Sequence, residues 1–182
     1  NVFRGGSDGS LSEDDLEIIK NIDQVQGVSP EVSTNKQLIW QKTNTRGSIS
    51  GVVYNYPDLK SKTMVYGQFF TEEDQIQRKR VAVIDEGLWE DLFASANPIG
   101  QDIRIENNFY TVVGIMEGDD SKMYIPLTTA QIRLIGSRNI SQINVFVASE
   151  EKMDQVQAEI ESKLLLAHNL KDESPDFVIA AP

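Results

Sequence analysis

A helix end, a proline turn and two alternating runs follow one another within residues 92–116, LFASANPIGQDIRIENNFYTVVGIM. That order limits the chain to a fold mixing helix and strand. Leu88, Trp89, Leu92 and Phe93 recur at helical spacing. Asn97-Pro98-Ile99-Gly100 reads as a turn, because proline presets φ and glycine enters the left-handed region at little cost. The runs 103–105 and 109–115 alternate apolar and polar residues around Glu106-Asn107-Asn108. Asparagine tolerates positive φ, so this reads as a tight hairpin. Trp89, Phe93, Ile103 and Val113 are expected to fill a core, and nothing in the stretch carries catalytic chemistry.

The rest of the chain alternates strand and helix. Residues 1–10 read as a short extended piece and a Gly/Ser-rich linker. Residues 12–25 read as a helix capped by Ser12, with Glu13, Asp14 and Asp15 in the first turn, where the helix dipole favours negative charge. Leu16, Ile19, Ile22 and Val25 form its apolar face, and Gly27 stops it. Strands are expected at 28–32, 37–41 and 48–54, then a polar connection at 57–62. A strand at 64–70 leads into a helical turn at Thr71, followed by a charged loop at 75–80. The run 81–84 reads as a buried strand and 86–94 as a helix. Beyond the hairpin come a loop at 118–121, a strand at 123–125, a helix at 128–135 and a second connection at 136–139. Residues 141–148 alternate as a strand. A strong helix at 150–167, capped by Ser149, has Met153, Val156, Ile160, Leu164 and Ala167 on one face, and 177–180 ends the chain as a strand.

Composition excludes several functions. With 28 acidic against 17 basic residues, the net charge is −11. Nucleic acid is therefore no partner, since its affinity comes mainly from cations neutralising phosphates, and an anionic membrane face repels such a domain. The chain has no cysteine, which removes disulfides, thiolate catalysis and zinc-thiolate sites. No run approaches the roughly 20 apolar residues that span a bilayer. The start lacks an initiator Met and reads as that of an excised fragment.

Read in order, these pieces resemble the extracytoplasmic domain of the MacB-like permeases, an ABC transporter family with lipoprotein-releasing and FtsX-type members. The resemblance rests on Leu92-Phe93, Asn97-Pro98-Ile99-Gly100, Ile103, Ile105, Phe109 and Val112-Val113-Gly114-Ile115. It extends to Gly27-Val28-Ser29-Pro30, the stretch 67–74, Val81-Ala82-Val83-Ile84, Tyr124-Ile125-Pro126-Leu127 and 140–147. Gln68, Gln101 and Asn107-Asn108 depart from the family's usual Arg, Lys and Gly. The resemblance implies an α/β fold: a porter-like βαβ subdomain built from both chain ends (1–57 and 139–182) and an inserted, small mixed α/β, Sabre-like subdomain (58–138). It further implies a non-catalytic domain without cofactor, on the extracytoplasmic side of a cell membrane. Such a domain transmits ATP-driven motion to export antibiotics, peptides or lipoproteins. The implied partners are a membrane-fusion-type adaptor, a cytoplasmic ABC ATPase reached through transmembrane helices, and a second permease copy.

Residues with chemistry are few. The single histidine, His168, lies at the end of the last helix, where a cation compensates the helix dipole. Acidic clusters stand at Glu13-Asp14-Asp15, Glu72-Glu73-Asp74, Asp119-Asp120 and Glu150-Glu151; three of them open helices, and none has the spacing of a calcium loop. The one basic run, Arg78-Lys79-Arg80, reads as a charged strand entry that discourages edge pairing. No phosphate loop or GxSxG elbow occurs. Trp40, Tyr54, Tyr56, Phe69 and Phe70 are candidates for a partner surface, although strand aromatics are more often core. Two other readings stand beside the permease domain: a free-standing extracellular peptide- or ligand-binding module, and a hydrolase using paired carboxylates.

Overall fold

The computed structural model describes residues 2–5, 11–147, 149–167 and 177–180, with backbone alone for 2–5 and 177–180. The chain divides into two compact units, Asn1–Val32 with Ser137–Pro182, and Ser33–Gly136.

The first unit uses both ends of the chain. Strand β1 (Val2–Gly5) leads to helix α1 (Glu13–Lys20), which leads to the start of β2 (Val25–Trp40). After the inserted unit, β9 (Gln142–Val147), a 3₁₀ turn (Glu150–Lys152), α6 (Met153–Ala167) and β10 (Phe177–Ala180) complete it. The strand order is β10-β1-β9-β2, with every neighbouring pair antiparallel. β1 and β2 therefore run parallel with β9 between them, and β9 and β10 run parallel with β1 between them. These are two interleaved split βαβ units. Ile19 of α1, Ile143 and Val145 of β9, and Val156, Ile160 and Leu164 of α6 form the core, joined by Leu11, Ile22, Ile140 and Leu165. α1 starts where Ser12 and Asp15 make a capping box, each side chain accepting from the other's backbone N–H. It ends at Lys20, short of the expected 25. Ile22 and Val25 still reach the same core, from the turn and from β2. In α6, Ala167 is exposed and Leu165 is buried in its place. Ser149 makes no side-chain cap bond. His168 lies outside the described residues.

The inserted unit begins within β2. It contains β3 (Thr43–Val52), α2 (Tyr56–Leu59), β4 (Met64–Gly67), α3 (Glu72–Ile76), β5 (Val81–Asp85) and α4 (Glu86–Phe93). The hairpin β6 (Asp102–Ile105) and β7 (Asn108–Met116), then β8 (Lys122–Pro126) and α5 (Leu127–Ala130), follow. α5 widens into a π-helical turn, Gln131–Ile135, closed by Gly136 at φ 77°. Neighbouring strands run β2-β3-β8-β5-β7, and β6 pairs with both β7 and β2, so the strands close into a ring through Ile39 and Arg104. β4 shares one edge of β7 with β6: β6 takes Asn108 to Thr111, and β4 takes Gly114 to Met116. Leu38, Ile49, Ile84, Leu88, Ile103 and Ile105 are fully buried.

Three expectations change. The first crossing between units falls at Val32/Ser33 and not at residue 58. The reason is pairing: β3 lies parallel to β8 from Ser48↔Lys122 to Val52↔Pro126, and Tyr56 packs with Val83, Met116 and Tyr124, so residues 33–57 belong with the insertion. The two strands expected at 28–32 and 37–41 are one strand, β2. The hairpin loop is two residues long, since Ile105 pairs with Asn108, and its positive φ falls on Glu106 (55°) instead of an asparagine.

Candidate functional site

Of the five aromatic candidates, three belong to one buried cluster. Tyr56 (5% exposed) and Phe70 (2%) are core, and Phe69 packs on them with ring centroids 6.3 and 4.2 Å away. Their apolar faces are satisfied by Val52, Val83 and Met116, so Tyr56 and Phe70 offer no surface to a partner. Trp40 is half-buried. Its ring lies 4.5 Å from that of Phe93, and its indole N–H donates to Gln101 Oε1 at 3.2 Å. A lysine at 101 has no oxygen with which to accept that bond. Tyr54 alone is exposed, at 40%. A hydrogen bond with Glu72 and the charge of that carboxylate raise its hydroxyl pKa.

A surface groove lies where the sequence reading placed core. It is walled by Tyr66 and Gly67 of β4, Trp89 of α4, Ile115 of β7 and the 95–99 turn, and its volume is about 510 Å³. Trp89 is not core. Its ring meets Tyr66 edge-on at 5.8 Å, and its indole donates to Ala96 O at 2.7 Å. Local hydrogen bonds and one left-handed glycine define the turn. Asn97 Oδ1 accepts from Ile99 N at 3.0 Å, Gly100 sits at φ 84°, and Gly100 N donates to Val112 O at 2.8 Å. The turn thereby fills the stretch of β7 edge left between β6 and β4. Spacing in the sequence gave no sign of the groove, because Tyr66 and Trp89 read as a strand and a helix residue and come together only through β4–β7 pairing.

The acidic groups serve the backbone. Asp85, almost wholly buried, accepts N–H groups from Leu88 (2.8 Å), Asp120 (2.9 Å) and Lys122 (3.0 Å). It caps α4 and fastens the 118–121 loop to the helix start. Nearby, Lys62, Glu86, Glu117, Gly118 and Asp119 line an open polar recess of about 640 Å³. Glu117 accepts from Thr63 N at 3.1 Å, and Glu86 from Gly118 N at 3.4 Å. Asp74 caps α3 with Thr71, as Asp15 caps α1. Among the described residues, no group of three or more His, Asp or Glu side chains is placed to hold a metal ion, and no helix is long and apolar enough to cross a membrane.

Three buried hydroxyls lack a hydrogen-bond partner among the described residues, those of Ser29, Ser50 and Tyr110, and the last belongs to the largest side chain. Burial raises the pKa of the Tyr110 hydroxyl, while the charges of Arg80 and Arg133 act the other way. The Glu106 carboxylate adds to the upward shift, and Arg80 also donates to Asn108 Oδ1 at 2.8 Å, two residues along the same face of β7.

A split βαβ unit assembled from both chain ends, with a ringed α/β unit folded into it, defines a two-part inserted-domain module. The chain belongs to the family of MacB-like periplasmic core domains, whose family model matches residues 1–163. It is 28% identical over 169 residues to the macrolide export ATP-binding/permease protein MacB of Bdellovibrio bacteriovorus, covering 88% of this chain and 26% of that protein. It is 30% identical over 169 residues to the pyoverdine export ATP-binding/permease protein PvdT of Pseudomonas aeruginosa, again covering 88% and 26%. The chain thus spans about a quarter of the length of these curated relatives. The extracellular domain of the noncanonic ABC-type transporter YknZ from Gram-positive bacteria superposes with a TM-score of 0.86 at 22% identity, covering 99% of this chain and 98% of that one. The periplasmic region of MacB from Actinobacillus actinomycetemcomitans gives 0.85 at 21% identity, covering 97% and 86%. At these identities the likeness is one of fold. The expected porter-like unit with its inserted mixed α/β unit is the fold observed.

Proposed function

We propose that this chain is the extracytoplasmic domain of an ABC permease. There it transmits ATP-driven movement of transmembrane helices to an adaptor of the membrane-fusion type, acting beside a second permease copy. The observation that carries the reading is the family match over residues 1–163. It is supported by a unit made from both chain ends, which suits a domain held between two membrane helices. Transmission requires packed elements that move as bodies, and each unit has its own sheet and packed helices. The units at 1–32 with 137–182 and at 33–136 correspond in this reading to the porter-like and Sabre-like subdomains. The domain itself is non-catalytic, and its cargo belongs to the antibiotics, peptides and lipoproteins.

A second reading, a free-standing ligand-binding module, is favoured by the Tyr66–Trp89 groove. One experiment separates the two. This chain has no cysteine, so Lys42→Cys, in a full-length background with any cysteine outside this chain replaced by serine, gives a single label site at the exposed β2–β3 turn. The permease reading expects labelling by a membrane-impermeant maleimide in intact spheroplasts, with the labelled protein kept in the membrane after carbonate extraction. Labelling only after lysis overturns an extracytoplasmic location, and release by carbonate selects the free-standing module.

A further inference from the structure

The acidic charge of this domain is unevenly spread. Residues 75–84 and 121–149 contain no Asp or Glu, in a chain where Asp and Glu number 28 of 182. Within the inserted unit the two stretches meet in space: Thr128 Oγ1 donates to the carbonyl of Gln75, and Thr129 Oγ1 to that of Lys79 at 2.8 Å. They bring together Arg78 and Arg80 from the turn after α3 and Arg133 from the π-helical turn. All three are exposed. Among the described residues none of the three forms an ion pair, whereas Lys79 pairs with Asp74 at 3.6 Å. Beside them stand Ile76, 69% exposed, and Ile132, 47% exposed.

Two backbone features hold these side chains outward. α3 ends in a Schellman motif: Arg78 N donates to Gln75 O at 3.1 Å, Lys79 N to Asp74 O at 3.0 Å, and Arg78 takes φ 55°. Glycine is the usual residue at that left-handed position, and an L side chain there costs about 1 kcal/mol. The chain keeps a cation at a position where glycine is the relaxed choice. The second feature is the π-helical turn at Gln131–Ile135. Such turns are rare and gather at functional sites. Here the turn carries Arg133, whose charge acts on the buried Tyr110 hydroxyl in the same sense as that of Arg80.

We infer that the surface formed by Arg78, Arg80, Arg133, Ile76 and Ile132 is a docking site for an acidic segment of a partner protein. Its carboxylates would take the guanidinium groups, and its apolar side chains would cover the isoleucines. The guanidinium fork matches a carboxylate with two parallel hydrogen bonds. Arginine beside exposed aliphatic surface is the composition of an interface centre. Charge selects the occupant: three arginines outside any ion pair among the described residues, with the one carboxylate acting beside them, Glu106, already paired with Lys36 at 2.6 Å, form a local positive field on a molecule of net charge −11, too narrow for nucleic acid or an anionic bilayer but matched to a short acidic segment. The inference rests on surface chemistry and stands apart from the permease reading.

The test is site-specific photo-cross-linking in the host cell, with p-benzoylphenylalanine at Ile132 of the full-length protein. The expected adduct maps to an Asp/Glu-bearing peptide of another protein. Its yield falls roughly tenfold or more in an Arg80→Glu/Arg133→Glu variant, as for loss of a central charge pair, and recovers when the mapped carboxylates are changed to lysine. If the reversal lowers expression, Arg80→Gln/Arg133→Gln is read in its place and is expected to reduce the yield several-fold. Adducts only with lipid, only with a second copy of this chain or with a peptide lacking acids overturn the inference. So does a yield insensitive to the charge change, or the absence of any adduct at full probe incorporation.

Discussion

Tyr110 shows most clearly what a single side chain contributes. Its ring fills the β6–β7 face opposite Ile103, but its hydroxyl is buried and unpartnered among the described residues. An unmet buried hydroxyl costs more than its absence. Tyr110→Phe is therefore expected to leave stability unchanged or raise it by up to about 1 kcal/mol in urea unfolding. The pH dependence has a definite sign. Burial holds the folded pKa above the ordinary 10.0, so the folded state binds this proton more tightly than the unfolded chain. That contribution is complete below about pH 10 and is lost as pH rises through the folded value. Tyr110→Phe removes it, and the variant should lose less stability between neutral pH and the alkaline limb than the parent. The aromatic candidates divided at this scale because alternation along a short strand does not reveal what covers its outer face. Tyr56 and Phe70 were claimed by Val83 and Tyr124, whereas Tyr66, which the sequence reading passed over, is 57% exposed.

Elements were legible where their signals are local. The Ser12 and Thr71 caps, the β5 run and the Asn97–Gly100 turn depend on contacts within a few residues, and each stands where it was read. β2 is different. Ser33-Thr34-Asn35 looks like a break in hydrophobic patterning, yet the strand continues, because β9 pairs with its first part up to Glu31 and the ring takes up its end at Ile39. Backbone hydrogen bonds to two different neighbours override the side-chain pattern. Gly114 of β7 and Gly100 of the turn before β6 give a measurable contrast. A Cβ at Gly114 would meet Gln68 O at 2.4 Å and Met64 Cε at 2.6 Å, whereas one at Gly100, φ 84°, meets nothing within 4 Å. Gly114→Ala should cost about 2–3 kcal/mol by forcing β4 off β7, and Gly100→Ala only about 1 kcal/mol of backbone strain. Urea midpoints at constant m distinguish them. Equal costs would mean that β4 does not pack on β7 at Gly114.

For the molecule as a whole, charge acts as a single quantity. At a net charge of −11 and a pI near 4.5, self-repulsion keeps copies apart at neutral pH and vanishes close to pH 4.5. Light scattering across an acid titration should show a solubility minimum there, with solubility recovering on either side. The sequence by itself determined the mixed α/β class, the use of both chain ends in one unit, the family and the lack of thiol chemistry, since all of these follow from ordered local patterns and composition. Tertiary structure alone decided that the insertion starts at Ser33, that Tyr66 and Trp89 wall a groove, and that two acid-free stretches meet to present arginines without carboxylates. The physical reason is common to all three. Each depends on which strand edge or helix turn a residue's neighbours occupy, and that choice is made by backbone pairing between segments far apart in the chain.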